Sequence, residues 1–149
     1  MQEAGDRGLL DDFQALDVGT GSGVLAIAAV GLGASKAVGI DIDTTALFEA
    51  GQNIELNGMD QKIELTTNSL EDLADSRFSL VMANLRPPTL KQMLPAIIAK
   101  SSQQAYWVFS GFRDEAFARV ARCLPVPESK IIWHEGSCGW AALAAKYSD

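Results

Sequence analysis

The chain is poor in the residues from which metal centres and disulfide frameworks are built: its 149 residues include two cysteines and one histidine. Cys123 and Cys138 show neither Cys-x-x-Cys spacing nor a histidine cluster, so no metal site is expected. The opening Met1-Gln2-Glu3-Ala4-Gly5-Asp6-Arg7 is too polar for a secretion signal, which favours free thiols over a disulfide. Long apolar runs are missing as well. None approaches the roughly 20 residues of a membrane helix, so no membrane partner is expected and the chain reads as cytoplasmic. Basic residues are scarce in the first half. Residues 1–75 carry three Lys or Arg against fourteen Asp or Glu, a balance of −11, while residues 76–149 carry nine against five, +4, together the net −7. An acidic half argues against nonspecific adhesion to nucleic acid, and the basic excess of the other half reads first as ordinary solvation.

What is present is an ordinary globular composition, 48% hydrophobic and 21% charged. The length accommodates one domain with a core that needs no disulfide or metal. Residues 1–13 read as a lead-in, frayed or a short helix, and residues 14–149 as a single domain. Within it, apolar runs at Gln14 to Val18, Ala37 to Asp41, Ile63 to Thr66, Phe78 to Asn84 and Ala105 to Ser110 have strand character. They alternate with helical stretches at Gly21 to Leu32, Thr44 to Leu56, Thr89 to Ser101 and Asp114 to Leu124. Pro95 predicts a kink or a second helix start inside the third of these. The segments 130–135 and 140–147 flank Gly136-Ser137-Cys138-Gly139 as an antiparallel hairpin would. The expected fold is a Rossmann-like α/β sandwich whose mostly parallel sheet carries one antiparallel C-terminal strand at or near its edge.

The chemistry concentrates at Asp17-Val18-Gly19-Thr20-Gly21-Ser22-Gly23, a glycine turn between a strand and a helix. Glycine there permits positive φ and close backbone approach to a ligand, and the first helical N–H groups face the crevice. The spacing is G-x-G-x-G, not the G-x-G-x-x-G of dinucleotide sites. Asp17 would repel a pyrophosphate and attract an ammonium, which points to an adenosine ligand bearing an amino acid and a sulfonium. The alternative is a turn capped by that aspartate. Asp41 follows Gly19 by 22 positions at the end of the second strand, where a carboxylate accepts from both ribose hydroxyls. Asp43 reads as the N-cap of the next helix.

These stretches, with Val38-Gly39-Ile40-Asp41-Ile42-Asp43, Asn53, Leu56-Asn57-Gly58 and Val81-Met82-Ala83-Asn84-Leu85, resemble the successive motifs of class I S-adenosylmethionine-dependent methyltransferases. The chain is most similar to the catalytic domain of the ribosomal protein L11 methyltransferases, over most of residues 14–146. Leu94-Pro95, Ser110-Gly111 and the Glu135-to-Trp140 hairpin share in that likeness. The resemblance implies S-adenosylmethionine as cofactor, held by Asp17, Gly19, Thr20, Gly21, Gly23, Asp41, Ile42, Asn68, Ser69 and Asn84. Asn84 is the implied catalytic residue, aligning an amine for methyl transfer; its alternative is a strand-end turn. Asn68 and Ser69 stand where relatives place an acid for the adenine amino group, and an Asn oxygen accepts the same bond. The implied activity is N-methylation of a protein, a ribosomal protein by analogy. Methylation of a small molecule or RNA base, or a noncatalytic cofactor-binding module, are the alternatives.

Two departures bear on substrate. Asn84-Leu85-Arg86-Pro87-Pro88 differs from both the Asn-Pro-Pro-aromatic loop of base and glutamine methyltransferases and the loop usual in the ribosomal-protein enzymes. Those enzymes also carry a preceding substrate-recruiting domain, so the chain is expected to be either a fragment or a minimal protein. Phe112, Trp133 and Trp140 are expected to pack on the sheet and not to form a base-stacking platform.

Overall fold

The computed structural model describes residues 12–74 and 77–148. The expected lead-in therefore lies almost wholly outside the described residues; of it, Phe13 is buried beneath the sheet. The elements follow as β1 Gln14–Val18, α1 Val24–Gly31, β2 Lys36–Ile40, α2 Thr44–Leu56, β3 Ile63–Thr66, β4 Phe78–Asn84, α3 Pro87–Lys100, β5 Ser101–Arg113, a 3₁₀ turn at Asp114–Ala116, α4 Phe117–Ala121, β6 Ser129–Ser137 and β7 Trp140–Tyr147. The strands form one sheet in the order β3-β2-β1-β4-β5-β7-β6.

The first five strands of that order run parallel. Strand β7 is antiparallel to both β5 and β6, which places it next to the edge and leaves β6 outermost. Chain order reverses at β1: β2 and β3 lie on one side, β4 and β5 on the other. Beyond the carboxyl ends of β1 and β4 this reversal opens a crevice, because the connections leave toward opposite faces.

Each face of the sheet has its own core. Phe13, Ala15, Ala26, Ala29, Ala37, Ile54 and Met82 pack α1 and α2 on one side. On the other, Leu16, Val81, Leu90, Leu94, Ile97, Trp107, Phe109 and Val120 pack α3 and α4. Trp107 is the largest fully buried side chain; it stacks on Tyr147 and donates its indole N–H to Ser101 Oγ (2.9 Å). That bond satisfies a polar atom that burial would otherwise penalise.

Several boundaries depart from expectation for local reasons. Helix α1 starts at Val24 and not Gly21, because Gly21 and Gly23 both have positive φ. Helix α3 begins at Pro87 itself, with Arg86 extended before it. Proline suits a first turn, where its missing N–H has no intrahelical acceptor. The helix continues through Pro95 to Lys100, so no second helix begins there. Proline there withholds a donor only from the carbonyl of exposed Lys91, which water can serve. Strand β5 is longer than expected, and the helical segment after it is shorter, its first residues forming a 3₁₀ turn.

Candidate functional site

The glycine turn folds over the end of β1 at the reversal in strand order. The N–H groups of Gly19 and Thr20 both donate to Ile40 O (2.9 Å each), and Gly23 N–H returns to Thr20 O (2.9 Å). At φ +71 Gly19 occupies left-handed space, and a Cβ there would come to 2.9 Å of Leu85 Cδ2. Only a bare backbone lets Leu85 lie directly on the turn. Helix α1 has Gly23 as its N-cap and hence no capping side chain. Asp17 supplies one from the strand: its Oδ2 accepts from Ala26 N–H (3.2 Å) and from Thr20 Oγ1 (2.7 Å).

Asp17 is completely buried, and its second oxygen, Oδ1, has no partner. Burial pushes its carboxyl pKa upward from the usual 3.8; the bonds from Thr20 and Ala26 oppose this, and the nearby Asp41 adds to it. The capping role, the alternative reading of Asp17, is therefore present, and beside it stands a buried acceptor oxygen left over. Such an oxygen is expensive to keep unless something serves it.

Asp41 follows β2 and is half-buried. Its Oδ2 accepts from Gly21 N–H (3.0 Å) and its Oδ1 from Asp43 N–H (3.0 Å), so the carboxylate ties the glycine turn to the start of α2. Asp43 is the N-cap of α2, its side chain accepting from Thr45 N–H (2.8 Å). Asn53 of α2 closes the arrangement by donating to Ser22 O (2.9 Å).

Against this framework lies a cavity of about 340 Å³. Gly19, Asp41, Ile42, Asn68 and Ser69 line it. Thr20 is buried, bonded to Asp17 beneath the turn, and neither it nor Asp17, Gly21 or Gly23 reaches the cavity wall. Ile42 projects at the rim, 93% exposed. Ser69 Oγ donates to Asp72 Oδ2 (2.8 Å), which leaves Asn68 the freer side chain of the pair. Six lining residues escaped sequence reasoning: Ile40, Leu70, Glu71, Leu85, Thr89 and Met93. The last three recur every four positions, a spacing that puts Leu85, Thr89 and Met93 on one side of α3 and its lead-in; that periodicity was the available signal.

Asn84 opens onto a second cleft, of about 510 Å³, shared with Ser110, Gly111, Trp133, Glu135 and Trp140. Asn84 is exposed at the end of β4, and the next residue, Leu85, faces the first cavity. Two neighbouring residues thus divide two clefts. The sheet-packing expectation holds for Phe112, 1% exposed, and is overturned for Trp133 and Trp140, which are 47% and 54% exposed. Trp140 belongs to the alternate set of β7, whose partners Ala141, Leu143, Ala145 and Tyr147 take the buried side. Trp133 adjoins an irregularity in the β6–β7 pairing between Ile131 and Trp133. The guanidinium of Arg113 lies 5.1 Å from the Trp140 ring centre, a cation–π contact at the cleft rim.

The profile of the ribosomal protein L11 methyltransferase family matches residues 3–148. The chain belongs to this family. It is 45% identical over 105 residues to the ribosomal protein L11 methyltransferase of Geobacter sulfurreducens, a match covering 70% of this chain and 34% of that protein. The crystal structure of the ribosomal protein L11 methylase from Lactobacillus delbrueckii subsp. bulgaricus superposes with a TM-score of 0.85 at 29% identity, over 96% of this chain and 74% of that one. An RNA methyltransferase from Salinibacter ruber, solved in complex with S-adenosyl-L-homocysteine, shares the fold at a TM-score of 0.74 and 21% identity, over 94% of this chain and 84% of that one. The chain spans about a third of the length of the Geobacter relative. This member of the L11 methyltransferase family thus has the Rossmann-like methyltransferase fold, with its glycine turn at the sheet's reversal. No helix among its described residues is long and apolar enough to cross a membrane.

Proposed function

We propose that this domain binds S-adenosylmethionine in the cavity beside Asp41 and transfers its methyl group to a nitrogen of a protein, a ribosomal protein by family analogy, in the cytoplasm. One observation carries the reading: consecutive residues Leu85 and Asn84 face two separate clefts at the crevice of the sheet. A cofactor in one and an acceptor in the other would meet at that strand end.

The residues present fit the cofactor. Asp41 has lone pairs beyond those given to Gly21 and Asp43, which suits ribose hydroxyls. Asn68 and Glu71 offer acceptors toward an adenine amino group, and exposed Ile42 offers an apolar cover. The orphan oxygen of Asp17, sealed beneath the turn and away from the cavity wall, suits an ammonium only where the turn shifts to admit it. When bound, the cofactor supplies an electrophilic methyl carbon on a sulfonium. The chain's own work is orientation and exclusion of water. Leu85 and Met93 wall the cavity with apolar surface, and the Asn84 carboxamide accepts an N–H of the acceptor amine so that its lone pair is directed across the strand end. Glu135 and the faces of Trp133 and Trp140 suit a protein amine that arrives cationic, which must give a proton to solvent before its lone pair is free to take the methyl group.

The exposure of the two tryptophans also favours a second reading, an RNA base stacked in the same cleft. Calorimetry with S-adenosylmethionine, S-adenosylhomocysteine and NAD tests the cofactor. Transfer of tritiated methyl to bacterial ribosomal protein L11, with ribosomal RNA as the competing acceptor, tests the substrate. Indifference to the first two ligands would sink the methyltransferase reading; label on RNA alone would favour the base; binding without transfer would favour a noncatalytic module.

A further inference from the structure

Asn84 presents a puzzle of restraint. It is exposed, and among the described residues its carboxamide forms no hydrogen bond, so by itself it would sample several rotamers. The neighbouring strand supplies what holds it. Pairing of β5 with β7 slips between Phe109 and Phe112: three steps on β5 oppose two on β7, from Leu143 to Ala141. The extra residue is accommodated at Ser110-Gly111, and Gly111 takes φ +87. A bulge of this kind bends its strand and redirects what lies beside it. Here Ser110 sits directly opposite Asn84 in the β4–β5 register, and Ser110 O accepts from Leu85 N–H (3.0 Å). The chain after Asn84 is thereby clamped to the bulge.

The contact with Gly111 is closer still. A Cβ built there would overlap Asn84 Oδ1 and would stand 2.8 Å from Leu85 N and 3.0 Å from the Asn84 carbonyl carbon. The side-chain oxygen of Asn84 thus packs on a bare Cα that no other residue type provides. From this geometry we propose that Gly111 is a positioning residue: the bulge glycine seats the Asn84 carboxamide in one orientation and so aligns the acceptor amine for methyl transfer. The inference rests on the proposed role of Asn84 and adds what holds that residue ready without a hydrogen bond.

Two experiments test it. The first uses the wild-type protein, in which the side-chain NH₂ of Asn84, identified by its absence from Asn84→Ala, should show a heteronuclear NOE close to that of the surrounding backbone. A carboxamide as mobile as that of an ordinary surface asparagine overturns the inference, whatever the activity. The second compares Gly111→Ala, Asn84→Ala and the double variant, reading methyl transfer to bacterial ribosomal protein L11 and calorimetric affinity for S-adenosylhomocysteine. Gly111→Ala should lower kcat on the order of 10- to 100-fold with cofactor affinity within about twofold, and its effect should be clearly smaller once Asn84 is alanine, the remainder coming from the main-chain contacts with Leu85 N and the Asn84 carbonyl carbon. Losses that multiply in the double variant place the role of Gly111 elsewhere and overturn the inference, while Asn84 keeps its function. Unchanged turnover in Asn84→Ala alone would instead remove the functional reading on which the inference depends. Should Gly111→Ala fail to fold, the wild-type NOE decides by itself.

Discussion

Replacing Asp17 by asparagine separates the two jobs its geometry suggests. In the wild type, Oδ2 takes bonds from Thr20 Oγ1 and Ala26 N–H, while Oδ1 is buried with no partner. An asparagine oxygen can keep both bonds, but each changes from charge-assisted to neutral, a loss of about 1 to 1.5 kcal/mol apiece. Against this, the variant replaces an orphaned ionic oxygen by an orphaned neutral NH₂, which recovers several kcal/mol of desolvation in the ideal case and about 2 to 3 after relaxation. The terms nearly cancel, so Asp17→Asn should unfold within about 1 kcal/mol of wild type at neutral pH. The pH dependence carries a definite sign. The folded-state pKa of Asp17 is raised, so the native state binds more protons than the unfolded state and wild-type stability falls as pH climbs above the ordinary 3.8. The variant lacks this titration; its stability relative to wild type should improve from pH 3.8 upward and level off above the raised native pKa. Cofactor affinity should move the other way. Losing a charged bond to the ammonium removes about 1.5 to 3 kcal/mol, roughly 10- to 150-fold in Kd. Methylthioadenosine, which has no amino acid, should bind both proteins alike. Urea titrations across pH and calorimetry with both ligands give the answer. A variant that is several kcal/mol less stable yet binds S-adenosylmethionine unchanged would refute the reasoning and leave Asp17 as a helix cap alone.

Other substitutions read different parts of the site. Asp41→Ala removes the proposed ribose acceptor and the tie to Gly21, and calorimetry should show an affinity loss of about 1.5 to 3 kcal/mol. Asn84→Ala should lower turnover far more than cofactor affinity, as steady-state kinetics beside calorimetry will show; the reverse pattern makes it a structural residue. Asp43→Ala deletes the N-cap of α2 and should reduce stability by about 0.5 to 2 kcal/mol in denaturant titration, whereas Asp43→Asn should restore most of it. Trp140→Ala should raise KM for a protein acceptor and leave cofactor affinity in place, because that ring lines the second cleft and not the cavity beside Asp41.

Much of the architecture was legible because it follows short-range rules. The strands at Gln14–Val18 and Ile63–Thr66 and the helix at Thr44–Leu56 appear at the expected residues, since each is a local apolar pattern flanked by polar or turn-forming residues. Asp43 was legible as an N-cap for the same reason. Less legible were features set by a partner strand or helix. The length of β5, the 3₁₀ turn after it and the continuity of α3 through Pro95 depend on what packs beside them. Trp133 and Trp140 were misplaced because strand alternation says that two faces exist but not which of them is covered.

The residues alone determined that a parallel α/β sheet would carry a glycine turn with an acid before it and another 22 positions after its first glycine. Spacing along the chain suffices for that, because strand, turn and helix are read locally. The tertiary structure alone decided that Asp17 lies beneath the turn with one oxygen unserved, that Leu85 and Asn84 divide two clefts, and that a bulge glycine seats the Asn84 carboxamide. Each of these depends on which strand lies beside which: β1 between β2 and β4, and β5 between β4 and β7. Strand order is a choice among long-range pairings that share the same local pattern, and packing of the whole sheet makes that choice.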